Sequence, residues 1–148
     1  MEHMVQKIDN LHLDIVLVLL KGETHLREIA RLLDESHSTI LRKLNELSKE
    51  GVIEAKQQGK NKIFSLKKNL IARTYVFMAE KYKLAKLLEK YPKLAVILED
   101  VLTKTDEKLI VVFGSYSKFS AKPDSDIDIF VESKDRKIKQ KMRDVHSK

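Results

Sequence analysis

Two aspartates, Asp126 and Asp128, are the residues in this sequence best suited to chemistry. They alternate with Ile127 and Ile129, a period of two that predicts a β-strand. Residues i and i+2 of a strand project from the same face about 6–7 Å apart, so both carboxylates are expected on one side. Paired hard oxygen ligands suit Mg²⁺, which keeps several waters and usually shares its shell with nucleotide phosphates. The spacing therefore predicts a site for magnesium and a phosphate group.

A glycine–serine pair precedes the two aspartates. Gly114 and Ser115 follow the apolar run 109–113, which predicts a strand covered on both faces, and ten residues separate them from Asp126. Glycine lets a phosphate approach the backbone, and Ser115 offers hydroxyl and amide donors at the start of a helical turn. Each feature alone is common in turns and at strand ends. Their combination, an apolar strand, Gly-Ser, ten residues and then two alternating aspartates, is more specific than any of its parts.

This combination, over about residues 93–133, resembles the nucleotidyltransferase superfamily that includes DNA polymerase β. The resemblance implies that Gly114 and Ser115 bind a nucleoside triphosphate and that Asp126 and Asp128 are catalytic ligands of two Mg²⁺ ions. It also implies in-line attack of an acceptor hydroxyl on the α-phosphate. Phe119 departs from the pattern, since small members frequently have glycine there.

A larger departure concerns a third carboxylate, which the family supplies from a later strand. Only twenty residues follow Asp128, and they predict a basic helix from Asp135 to His146. Asp135 and Asp144 on that helix are poorly placed to substitute. We therefore expect that the chain is a piece of a longer protein or that a partner completes it, and that these residues alone do not catalyse.

A helix from Ser36 to Glu50 is the second candidate site. Ser36 suits its N-cap, and Ile40, Leu44 and Leu47 recur at the spacing of a buried stripe. The opposite face and its flanks carry hydrogen-bonding side chains, namely Ser38, Thr39, Arg42, Lys43, Asn45 and Lys49. Hydroxyls near a helix start bind phosphates, arginine pairs with guanine and asparagine with adenine. The helix is therefore predicted to enter the major groove of DNA.

A basic hairpin follows this helix. Residues 52–55 and 63–66 are predicted strands, and Lys56, Lys60 and Lys62 in the polar turn between them would lie beside the phosphate backbone. Residues 11–68 resemble the winged helix-turn-helix of bacterial and archaeal transcription regulators. The resemblance rests on Leu26–Arg31, Ser36–Ile40, Leu44–Leu47 and Glu50–Ile53. It implies binding to double-stranded DNA. A solvated charged helix on an ordinary bundle and a winged helix used for protein contacts stay open, and Glu46 is expected to repel phosphate.

Composition restricts the partners and the compartment. The 148 residues carry 29 Lys and Arg against 22 Asp and Glu, a net charge of +7 that favours a polyanionic partner. Residues 36–68 alone hold eight basic and three acidic groups. No cysteine is present, which fits a reducing cytoplasm and excludes thiolate metal sites. No apolar run is long enough for a membrane span, and we expect no membrane partner.

The predicted fold is α+β in three parts. They are a winged helix over 1–68, a helical linker over 69–104 and the first half of a nucleotidyltransferase-like α/β domain over 105–148. Two apolar stripes on residues 69–91 leave two interpretations open, packing on both adjacent domains and a homodimer contact. The main hypothesis is a DNA-binding transcriptional regulator that binds a magnesium–nucleotide. One alternative is a nucleotidyltransferase whose winged helix positions a nucleic-acid or protein acceptor, and another is a DNA-binding dimer whose second module has lost its chemistry.

Overall fold

A computed structural model of the protein describes residues 8–105 and 109–143. The chain divides into two compact units, residues 1–83 and 84–148, with the division inside one long helix. The domain bounds at residues 68 and 104 stay predictions. Within the described residues, no helix combines the length and the apolar character needed to cross a bilayer.

The first unit has the element order of a winged helix-turn-helix. It contains α1 (Asn10–Leu20), β1 (Thr24–His25), α2 (Leu26–Leu33), α3 (His37–Lys49), β2 (Ile53–Gln58), β3 (Asn61–Leu66) and the first two-thirds of α4 (Leu70–Lys90). The three strands form an antiparallel sheet in the order β1-β3-β2. Three helices and a sheet-forming hairpin confirm the predicted winged helix.

The core of this unit lies between its helices and the sheet. The predicted stripe of α3 is confirmed, because Ile40, Leu44 and Leu47 are fully buried against a cluster that includes Ile15 and Ile29. The N-terminal cap of α3 is also confirmed, since the Ser36 side chain accepts a hydrogen bond from the Thr39 backbone N–H at 3.1 Å. These contacts fix α3 with one apolar face inward and its polar face outward.

The hairpin is longer and its turn tighter than predicted. Pairing between β2 and β3 continues to Gln58 and Asn61, so Gly59 and Lys60 alone connect the strands. Gly59 has φ +59°, which glycine adopts without a steric penalty. The predicted seven-residue turn was wrong because the strand ends carry polar side chains on an exposed ribbon. Backbone pairing extends such a ribbon without any hydrophobic alternation.

The second unit contains the end of α4, α5 (Pro92–Thr105), β4 (Leu109–Phe113), α6 (Gly114–Ser117), β5 (Asp128–Glu132) and α7 (Ile138–Arg143). Strands β4 and β5 pair antiparallel, from Leu109 opposite Glu132 to Phe113 opposite Asp128. This places Asp128 at the end of the ribbon, next to the chain's turn into α6.

Two expectations about this unit need correction. β4 is not covered on both faces: Leu109, Val111 and Phe113 are 41–50% exposed, because a two-stranded ribbon buries one face only. The prediction that Asp126 and Asp128 are residues i and i+2 of one strand was also wrong: β5 begins at Asp128, opposite the last residue of its partner strand, and Asp126 lies in the preceding loop. In the described part of the basic tail, α7 covers Ile138–Arg143, while Asp144 and His146 lie outside the described residues.

Candidate functional site

The outer face of α3 carries most of the predicted DNA contacts. Ser38, Arg42 and Asn45 are exposed, and the Arg42 side chain is 61% accessible. Thr39 is half-buried, and the Ser36 hydroxyl oxygen lies 3.0 Å from that of Ser38 and 2.8 Å from that of Thr39. The structure therefore brings these hydroxyl, guanidinium and amide groups onto one side of a helix whose other side is core.

The wing carries the three predicted lysines. Lys56, Lys60 and Lys62 are exposed on β2, the turn and β3. The Lys56 Nζ lies 3.6 Å from the Glu54 Oε1, so a neighbouring carboxylate screens this cation. Lys60 and Lys62 lie at or next to the tip of the hairpin, where a ligand can reach them.

The interpretation of Lys43 as a flanking DNA contact needs correction. Its side chain is buried, and its Nζ donates to the Asp9 Oδ2 at 2.6 Å and to the Glu46 Oε2 at 3.1 Å. Burial alone would lower the pKa of Lys43, but these two carboxylates raise it above its ordinary value. The sequence pattern placed Lys43 at the edge of the polar face without showing that α1 packs there.

Glu46 was expected to repel phosphate, but its carboxylate is largely buried and is paired with neighbouring side chains. Its side chain is only 15% exposed, and its Oε2 lies 2.7 Å from the Nε2 of the buried His12. Its Oε1 accepts from the Arg42 Nη1 at 3.0 Å. Although desolvation alone would raise the pKa of Glu46, hydrogen bonds from Lys43 and His12 lower it. The carboxylate is thus ionised and surrounded by cations and donors.

His12 and Asp9 are functional candidates that sequence reasoning missed. The Asp9 side chain accepts from the His12 backbone N–H at 3.1 Å, and the Asp9 backbone N–H donates to the His12 Nδ1 at 3.2 Å. This reciprocal pair caps α1. Desolvation alone would raise the pKa of Asp9, but bonds from Lys43 and His12 lower it. The Asp-x-x-His spacing at the start of α1 was the signal available in the sequence.

The second candidate site lies where β4 turns into α6. Gly114 has φ +69°, and a Cβ added to it would lie 2.9 Å from the Asp128 Cγ and closer still to its Oδ2. Real Cβ atoms do not approach other atoms so closely. The structure therefore brings the predicted glycine directly against one predicted carboxylate, and any side chain at residue 114 would require the Asp128 side chain to move.

The other two predicted residues lie close to this contact along the chain. Ser115 is half-buried in α6, and its carbonyl oxygen accepts from the Ser120 N–H at 3.0 Å. Asp126 is exposed in the loop two residues before β5. In the ranges 8–105 and 109–143, no group of three acidic or histidine side chains is arranged to hold a metal. The Asp128 carboxylate beside this glycine could supply one oxygen ligand to Mg²⁺, which usually takes most of its other ligands from water and phosphate oxygens.

The loop between the glycine turn and the carboxylates is bound at Phe119 by a residue of α4. Phe119 has φ +58°, in the left-handed region that non-glycine residues rarely adopt. It is the position at which small members of the superfamily that this part of the sequence resembles frequently have glycine. The Lys90 Nζ donates to the Phe119 carbonyl oxygen at 2.9 Å and lies 5.7 Å from its ring centroid. The end of α4 thus anchors the loop at the residue that departs from the pattern.

One family model matches the C-terminal part of the chain. Residues 94–148 match the family model of the nucleotidyltransferase domain. No curated protein sequence matches the chain.

Solved structures of transcriptional regulators are similar to part of the chain. The repressor BigR from Xylella fastidiosa is 21% identical, covering 45% of this chain and 66% of its own, with a TM-score of 0.43. The homodimeric winged helix-turn-helix DNA-binding domain Mb0332 from Mycobacterium bovis is 23% identical. The match covers 47% of this chain and 65% of Mb0332, with a TM-score of 0.44. ZitR from Lactococcus lactis, a zinc-responsive MarR family member, is 18% identical. The match covers 62% of this chain and 64% of ZitR, with a TM-score of 0.49. The matches span about two-thirds of the length of each of these regulators.

Proposed function

We propose that this protein is a DNA-binding transcriptional regulator whose C-terminal module binds a nucleoside triphosphate with Mg²⁺. The polar face of α3 carries the proposal. Ser38, Arg42 and Asn45 are exposed directly opposite a fully buried stripe, and a basic wing follows in the same unit. This arrangement is what a recognition helix needs, because the major groove admits one helix that offers donors and acceptors to base edges.

The side chains divide between phosphate and base contacts. Ser38 and Thr39, near the start of α3, would bind phosphate oxygens, where the helix dipole also favours negative charge. Arg42, one turn further, would offer two donors to guanine, and Asn45 would pair with adenine. Lys60 and Lys62 on the wing would contact the backbone beside the groove. Affinity then comes mainly from the cations and sequence preference from Arg42 and Asn45.

The dependence of DNA binding on salt tests this proposal. With about 6–10 phosphate contacts, affinity should fall by about 10³–10⁵ between 50 and 200 mM salt. Lys60→Ala is expected to reduce the slope of log K against log salt by about 1, because one phosphate contact is lost. Fluorescence anisotropy of a labelled duplex measures both quantities.

Lys93→Ala provides the matched control, since Lys93 is exposed but lies on α5. It should leave the slope at the wild-type value. A wild-type affinity that does not respond to salt, or equal effects of Lys60→Ala and Lys93→Ala, would contradict the proposed interface.

The proposal includes a second copy of the chain as partner. Leu70 and Phe77 lie seven residues apart on α4 and are 79 and 68% exposed. An apolar stripe at this spacing lies on one side of a helix and suits contact with another helix. A two-fold dimer would present two α3 helices to half-sites one DNA turn apart.

Sedimentation velocity tests the dimer. The full chain should sediment as a dimer at micromolar concentration, and Phe77→Glu as a monomer, because an acid in the stripe would have to be desolvated. Val96→Glu on α5, which is equally exposed at 68%, should leave the dimer intact. Monomeric wild-type protein would refute this contact while leaving the α3 face unaffected.

The Gly114–Asp128 contact supports the nucleotide part of the proposal. Gly114 and Ser115 would hold the triphosphate, and Asp126 and Asp128 would hold Mg²⁺. Bound there, the metal would neutralise charge on the phosphate oxygens. The exposed Asp126 can adjust to the metal, whereas Asp128 is fixed by its place in the ribbon opposite Phe113. Nucleotidyl transfer is the alternative function, and by the resemblance it needs a further carboxylate.

A further inference from the structure

We infer that Glu46 is a positioning residue, which holds the Arg42 guanidinium in one orientation on the DNA-facing side of α3 and so determines sequence discrimination at one base pair. This inference rests on the proposed DNA-binding function. It assigns to an acidic residue on the recognition helix a role that charge alone would not suggest.

One carboxylate oxygen of Glu46, Oε2, is bound by two buried side chains. His12 is 2% exposed and its Nε2 lies 2.7 Å from the Glu46 Oε2. Because the His12 Nδ1 accepts from the Asp9 backbone N–H, Nε2 is the ring nitrogen that donates to Glu46. Lys43, 6% exposed, donates to the same Glu46 oxygen at 3.1 Å. Glu46 therefore has little freedom to change rotamer.

The other carboxylate oxygen of Glu46, Oε1, is bound by Arg42. The Glu46 Oε1 accepts from the Arg42 Nη1 at 3.0 Å, one helical turn apart. An ordinary ion pair between exposed side chains is weak because both partners must be immobilised. Here the carboxylate is already immobilised, so Arg42 alone loses freedom on pairing. The result is a guanidinium with one donor engaged on a side chain that is 61% exposed.

A fixed guanidinium favours reading a base over holding a phosphate. Bidentate pairing with guanine requires the fork to lie in the plane of the base edge, whereas a phosphate accepts many directions. The chain from Asp9 through Lys43 and Glu46 to Arg42 links the start of α1 to the exposed face of α3. Glu46 also lowers the net positive charge of α3, which weakens non-specific attraction to DNA.

The first arm of the test needs no DNA. In ¹⁵N NMR of the full-length protein, the Arg42 Nε–Hε group should show restricted motion in the wild type and free motion in Glu46→Gln. Glu28→Gln is the matched control, because Glu28 binds Arg31 through two bonds of 2.6 and 2.9 Å on the exposed face of α2. It should leave Arg42 unchanged. Restricted Arg42 motion in Glu46→Gln would overturn the inference.

The second arm measures sequence discrimination. A preferred duplex is selected from a random library with wild-type protein, and affinities are measured for that duplex and its single-base-pair variants. Glu46→Gln should lose about tenfold or more discrimination at one base pair, the same one at which Arg42→Ala loses it. Its affinity for non-specific DNA should be equal or higher, because a negative charge is removed.

The outcomes separate this inference from the function on which it rests. Retained discrimination in Glu46→Gln, or a uniform loss of affinity at every base pair with a lower melting temperature, would overturn the positioning role alone. Wild-type protein that selects no sequence would overturn the proposed function together with base reading. The NMR arm would then still decide whether Glu46 immobilises Arg42.

Discussion

Leu44→Ala is expected to destabilise the winged-helix unit by about 2–5 kcal/mol. Leu44 is fully buried in α3 and belongs to the cluster that joins α1, α2 and the sheet. Truncation removes its burial energy and leaves a cavity that rigid neighbours fill incompletely. Since stabilities of whole domains are about 5–15 kcal/mol, this loss is large enough to unfold a substantial fraction of the protein at elevated temperature.

Leu41→Ala is the matched control, because it makes the same substitution in the same helix at a residue that is 43% exposed. Helix propensity changes equally in both variants, so the difference between them reports burial. Hydrogen exchange of the α3 amides measures the stability of this unit separately from the rest of the chain. Equal effects of the two substitutions would show that α3 does not bury the Ile40–Leu44–Leu47 stripe.

Gly114→Ala is expected to weaken binding of a magnesium–nucleotide by about 10- to 100-fold, the usual effect of disturbing the support of a metal ligand. The added methyl group would overlap the Asp128 carboxylate, which must then rotate away. An alanine at φ +69° also carries about 1–2 kcal/mol of backbone strain. Isothermal titration of the full chain with ATP, with Mg²⁺ and with EDTA, measures the change.

Two further variants make this result specific. Gly59→Ala has the same kind of backbone strain at φ +59° but meets no atom within 4 Å, so it should bind the nucleotide as the wild type does. Asp128→Asn should lose binding as Gly114→Ala does, because the metal ligand is neutralised. Full binding by Gly114→Ala would exclude Asp128 as a ligand. An absence of magnesium-dependent binding in the wild type would remove the nucleotide part of the proposed function and leave the DNA-binding part intact.

Local patterns in the sequence predicted the elements that carry both sites. The spacing of Ile40, Leu44 and Leu47 predicted the buried face of α3, and Ser36 predicted its start. The apolar run ending at Gly114 predicted β4 and its sharp turn. Such features depend on residues within one or two turns of each other, so periodicity and capping chemistry suffice to predict them.

The limits of prediction are seen where polar groups pair or strands lack a hydrophobic pattern. The wing was predicted too short because its outer pairs, such as Gln58 with Asn61, have no apolar side chain. The start of β5 was misplaced because strand length depends on where the partner strand ends. In both cases the end of a strand is set by its pairing with another strand, and the residues of one strand do not by themselves predict it.

The sequence by itself determined that α3 has a polar face opposite an apolar one and that a glycine turn precedes two aspartates. Only the tertiary structure decided which polar side chains of α3 are available to DNA. Lys43 and Glu46 have a helical spacing that is compatible with the surface, yet α1 packs over them and brings Asp9 and His12, 34 residues away, within hydrogen-bond distance. A buried charge needs partners, and the partners of these charges are brought close only by helix packing, which no local pattern describes.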